Sequence, residues 1–143
     1  MKIFKPIAVL IMFFFLSISQ AHAAEIAVIV NASGPLVSAA ERDIADIYLG
    51  EKRFQDGIKI APLLYPEGSV KEAFMKETLR MTPKDYKLYW TKKIFQEGTP
   101  LPKTPAGIPD IINTVKETEG AIGFLPRDML KDLSGIKVIK VIK

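Results

Sequence analysis

Ile26-Ala27-Val28-Ile29-Val30 is an unbroken aliphatic, β-rich run. A run with no polar alternation fits a central strand covered on both faces. Asn31 to Gly34 and Pro35 then form a turn. Beyond it, Ser38-Ala39-Ala40-Glu41 carries the Ser-x-x-Glu pattern of a capping box. The helix it predicts puts Ile44, Ile47 and Tyr48 on one face and stops at Gly50. The turn Gln55-Asp56-Gly57 leads into a second strand, about Ile58 to Leu64.

Ser69-Val70-Lys71-Glu72 is a second capping signature, and its helix lines up Val70, Phe74 and Thr78 before ending near Arg80. Thr82-Pro83-Lys84-Asp85 is a third start, with proline at the first helical position and an acid in the first turn. Tyr86, Trp90 and Ile94 recur at helical spacing, with Tyr89 beside them, and Gly98 ends the run. Four prolines between Thr99 and Pro109 mark a surface loop. Ile108, Ile111, Ile112 and Val115 give a fourth helix. Gly120 to Leu125 reads as a third strand, followed by a short helix after Pro126 and a last strand from Ile136 to Ile142. Strands alternating with helices predict a small α/β sheet with helices packed on it.

Upstream of the first strand the chain reads as an export leader. Lys2 and Lys5 form a basic head, Ile7 to Ile18 an apolar stretch, and Ala21-His22-Ala23 a peptidase site. The apolar stretch falls short of the roughly 20 residues needed to cross a membrane. Residues 1–23 are therefore expected to be a signal peptide, and 24–143 the working domain.

Without Lys2 and Lys5, the 20 basic residues become 18 against 16 acidic, a net charge of +2. That is too mild and too dispersed for a nucleic-acid stripe. The chain's single histidine, His22, leaves with the leader, and there is no cysteine. Cys/His metal sites, haem and iron–sulfur ligation, Ser-His-Asp triads, thiol catalysis and disulfide staples all fall away. No catalytic residue, cofactor or metal is expected, and 120 residues suffice for one unstapled core.

Three segments together resemble the phosphate-binding proteins of bacterial ABC transporters, in the periplasmic-binding-protein class. Asp43 to Lys52 is similar to that family's helix ending in I-(F/Y)-L-G-K; Ile60 to Phe74 resembles its strand, D-G-S-G-T loop and following helix; Gly120-Ala121-Ile122-Gly123-Phe124 is close to its G-A-I-G-Y strand. The resemblance covers most of residues 24–143 but only one of the family's two lobes. It implies a single lobe with a small mixed sheet and flanking helices, working in the periplasm as a non-enzymatic solute-binding protein.

In the family, the R-x-D-G-S-G-T loop holds phosphate through its arginine, its serine and the amides at the helix start. Carried over position by position, the serine falls on Ser69, the first glycine on Gly68 and the aspartate on Glu67. Tyr65 stands at the arginine position, Val70 at the second glycine and Lys71 at the threonine. The candidate anion site is Gly68, Ser69, Val70 and Lys71, joined by Ser33 from the turn after the first strand.

Two readings of Ser69 stand open. A helix start offers unpaired amides to an anion, while a closed Ser69–Glu72 capping box would occupy them. Trp90, Tyr86 and Tyr89 read as a buried stripe rather than a ligand platform, and Lys52-Arg53 and Lys92-Lys93 as solvated faces. The lysines of the last strand would blunt a sheet edge. Two functions compete: a small-anion receptor such as one for phosphate, and an accessory protein that binds an envelope or transporter protein. A lone lobe cannot trap a ligand by hinge closure, so a homodimer or a borrowed lobe is among the arrangements it implies.

Overall fold

The strand read first is the centre of the molecule. In the computed structural model, which describes residues 24–143, β1 (Ile26–Asn31) is buried along its whole length. The leader assigned to residues 1–23 lies outside the described residues. β1 pairs antiparallel with β5 (Ala121–Pro126) on one side and with β6 (Ile136–Ile142) on the other. β4 (Ala61–Pro62) runs parallel to β5, so the mixed sheet has the order β4-β5-β1-β6. The expected fold, a small mixed α/β sheet with flanking helices, is what the chain forms.

Alternate residues of β1 feed two cores. Ile26, Val28 and Val30 point into a large cluster with Ile44, Tyr48, Phe74 and Trp90; Ala27 and Ile29 join Ile111 and Val115 beneath the other face. The helices α1 (Glu41–Tyr48), α2 (Ser69–Phe74) and α3 (Pro83–Glu97) supply the first, and α4 (Ile108–Glu117) the second. This explains the absence of polar alternation in β1, since each buried aliphatic side chain stabilises by about 1.5–3 kcal/mol.

The expected second strand divides. Ile58–Lys59 (β3) forms a hairpin with Phe54–Gln55 (β2) outside the main sheet. Only after Ile60, whose amide donates to the Arg53 carbonyl at 2.8 Å, does the chain join β5 as β4. Gly120 makes the crossing tight: a Cβ there would lie 1.9 Å from the Lys59 carbonyl oxygen. The proline-rich loop is also less free than expected. Thr99 and Pro102 are buried, and Lys103 forms a parallel bridge with Leu63 along the β4 edge.

Tyr48 joins the layers. Its hydroxyl donates to the Leu63 carbonyl at 2.9 Å, and its own carbonyl accepts from Tyr86 Oη at 2.8 Å and Trp90 Nε1 at 3.2 Å. Burial pushes the Tyr48 phenol well above its ordinary range, so it stays a neutral donor. Tyr86 and Trp90 are thus core, as expected, but Ile94 is exposed and Lys93 takes the inward position. Lys93 Nζ lies 3.0 Å from Glu51 Oε1 and 3.1 Å from Glu97 Oε2, and 5.6 Å from the centre of the Tyr89 ring. The Lys92-Lys93 pair is therefore split between solvent and a paired, covered site. Among the described residues no helix is long and apolar enough to cross a membrane.

Candidate functional site

Strand directions define two poles. Because β4 and β5 are parallel and β1 opposes them, the carboxyl ends of β4 and β5 and the amino end of β1 meet at one pole. Ligands of open α/β sheets sit outside the carboxyl ends of the parallel strands. From β4 the chain runs through Tyr65, whose ring lies 6.2 Å from that of Phe124 in β5, and turns at Gly68 into α2.

The helix start differs from the capping box its sequence predicts. The N-cap is Gly68, at φ 144° and ψ −169°, and no side chain caps the first turn. That backbone conformation is essentially restricted to glycine. Ser69 is therefore the first residue of the helix rather than its cap, and Glu72 sits one position too late to reach back. The first intrahelical bond runs from the Glu72 amide to the Gly68 carbonyl at 3.1 Å. The amides of Ser69, Val70 and Lys71 precede it and have no acceptor within the helix. The same slip makes Glu67 and Lys71 an i,i+4 ion pair, with the lysine largely covered and the carboxylate exposed. Lys71 thus has its charge balanced at the site's own rim.

Gly68, Ser69, Val70 and Lys71 are contiguous and form one turn, with Ser69 exposed and Val70 packed against the larger core. Ser33 is not brought to them. It follows the carboxyl end of β1, at the opposite pole, where its amide donates to Asn31 Oδ1 at 2.8 Å. The Asn31 side-chain Nδ2 in turn donates to the Val115 and Lys116 carbonyls at 2.9 and 3.0 Å, fastening that turn to the end of α4. Ser33 belongs to a structural turn.

An arginine that the motif comparison missed stands at the first pole. Arg127 follows β5 directly, donates its backbone amide to the Glu25 carbonyl, and places Nη1 2.7 Å from Glu25 Oε2. Its side chain is 60% exposed, and an exposed ion pair of this kind contributes about 0.2–1 kcal/mol. The available signal was topological, a cation directly after a strand that ends at the same pole as β4. Tyr65, by contrast, fills the arginine position with a ring packed into the core.

Two solved structures share this architecture. One is a candidate phosphate ABC transporter substrate-binding protein with bound phosphate from Clostridium perfringens, at TM-score 0.63 and 19% identity, covering 82% of this chain and 45% of that one. What this chain shares with it is a fold, over a little less than half of that protein. An ABC-type phosphate transport receptor from Vibrio cholerae matches at TM-score 0.57 and 20% identity, over 82% of this chain and 47% of its own. The chain thus spans about half the length of the proteins it matches. No family model matches the sequence, and no curated protein matches it.

Proposed function

We propose that this lobe is an exported solute-binding protein that takes phosphate, or an anion of the same tetrahedral class, at the turn Gly68–Lys71. The uncapped first turn of α2 carries the reading: three successive amides and the Ser69 hydroxyl stand together at the carboxyl pole of the sheet. The receptors of like fold, named for phosphate, support it. The leader-like residues 1–23 support a periplasmic location. No catalytic role is proposed; the lobe's counterparts are transport receptors.

Magnitudes set the expected affinity. The helix dipole contributes about 0.3–1 kcal/mol at an exposed end, and each amide or hydroxyl bond to a charged group about 1.5–3 kcal/mol. Ordering and desolvation costs offset much of that sum, and Glu67 at the rim opposes an anion. A dissociation constant of about 0.1–1 mM, roughly 4–5.5 kcal/mol, is the consequence. Tighter binding requires a second lobe closing over the site, from another copy or a transporter partner.

The test is calorimetric titration of residues 24–143 with phosphate at low ionic strength, repeated with Arg127→Ala. Saturable heat below about 1 mM, weakened several-fold in the variant, is the expected outcome. An absence of heat up to roughly ten times that concentration overturns the reading.

A further inference from the structure

Away from the anion turn, a second concavity opens along the β4 edge, toward the amino ends of β4 and β5. It encloses about 490 Å³, within the range of small-molecule sites, roughly 300–1,000 Å³. Buried faces of Ile60, Leu63 and Trp90 form its floor. The loop between α3 and α4 contributes Leu101, 46% exposed, and the β2–β3 hairpin Phe54, 59% exposed. Large apolar side chains standing half open beside a concave apolar floor are what a ligand's hydrocarbon body would cover.

The charges around this floor are one-sided. Lys52, Arg53, Lys59 and Lys103 all line the cavity, and no carboxylate does. Among the described residues none of these four cations forms an ion pair, whereas Lys71, Lys93, Lys116 and Arg127 each have an acidic partner. Arg53 has only Thr99 Oγ1, at 3.5 Å. The nearby carboxylate of Glu51 is already engaged by Lys93 and by Tyr89 Oη at 3.2 Å. Four like charges around one apolar hollow repel one another until a counter-charge arrives.

We propose that this cavity is a binding site for an organic anion with an apolar body, an alkyl or aryl carboxylate, sulfonate or phosphate ester. The acidic head sits among Lys59, Arg53 and Lys103 at the rim, and the hydrocarbon lies over Trp90 and Ile60 beneath Leu101. The limited volume of this half-open hollow favours a small molecule over an extended chain. The site is independent of the Gly68 turn, which lies at the other end of β4.

The experiment uses residues 24–143 and the fluorescent probe anilinonaphthalene sulfonate. Saturable one-to-one enhancement is expected, reversed by decanoate but not by decanol of equal chain length, nor by inorganic phosphate. Lys59→Ala/Lys103→Ala, two exposed cations without ion-pair partners, should weaken probe and decanoate about tenfold while leaving the thermal midpoint and the phosphate titration unchanged. Leu101→Asp gives a second check from the apolar side and should abolish displacement by decanoate. Equal displacement by decanol, displacement by polyglutamate in place of decanoate, or unaltered binding in the double variant would each overturn the proposal.

Discussion

Two helix starts in this chain carry nearly the same signature and end in opposite states. At α3, Thr82 accepts from the Asp85 amide at 3.1 Å, and the Asp85 carboxylate accepts from the Thr82 amide at 3.4 Å, so the capping box is complete. At α2, Ser69 and Glu72 have the same spacing, yet neither caps, because the helix begins one residue earlier at Gly68. The difference lies beside the signature. Pro83 fixes the first position of α3 and so makes Thr82 the boundary. Before Ser69 stands a glycine in a conformation that other residues avoid, and the boundary moves back onto it. One start is closed by its own side chains, and the other leaves its first amides without a side-chain cap.

Breaking the boundary at Gly68 should have the largest effect. No atom lies within 4 Å of a Cβ built there, so Gly68→Ala introduces no clash and reports backbone strain alone. Residues held in that region cost about 1–3 kcal/mol. Chemical denaturation should show that loss, with phosphate heat reduced as the turn relaxes. A variant as stable as the parent would mean that the turn at Gly68 is not held in this geometry.

Opening the closed start comes next. Thr82→Ala removes an acceptor that the Asp85 amide uses, and should cost about 1 kcal/mol. Because α3 lies across the core through Tyr86 and Trp90, the loss should appear in the global unfolding midpoint and not only as local fraying. Phosphate binding should be untouched. If the two variants destabilise equally and both weaken phosphate, the contrast between the starts is lost.

The same two starts show how far the residues could be read. Local patterns with a single geometric solution were legible: the aliphatic run of β1, the Thr82-Pro83 start, the Gly98 end and the Gly120–Leu125 strand all stand where expected. Ser38 failed in the opposite direction, since α1 begins at Glu41 with Ala40 as its cap, two residues beyond the expected boundary. A capping signature fixes which residues can pair, not which residue becomes the boundary. Ser33 was joined to the site because it follows the carboxyl end of the first strand, which assumes that strand runs parallel to the others; once β1 is antiparallel to β5, its carboxyl end faces away from α2. Lys52, Arg53 and Lys59 are close in the chain, but Lys103 reaches the same cavity from the loop after α3. Only pairing and packing bring them together, and no spacing rule reaches them.

The smallest stability effect should come from Ser69→Ala, and it is the variant that separates the two readings of this residue most cleanly. As a cap, Ser69 would lose about 1 kcal/mol on truncation, like Thr82. As the exposed first residue of α2 it has no amide to satisfy, and alanine is tolerated there, so the change should stay within about 0.5 kcal/mol. Ser69 nevertheless belongs to the turn whose first three amides have no acceptor within the helix, and if its hydroxyl binds the proposed anion, deleting one charge-assisted hydrogen bond should weaken phosphate by about tenfold or more. Stability held and binding lost is the pattern that belongs to a ligand contact. Loss of stability with binding unchanged would restore the cap, and would mean that the boundary at Gly68 gives way to Ser69 in solution.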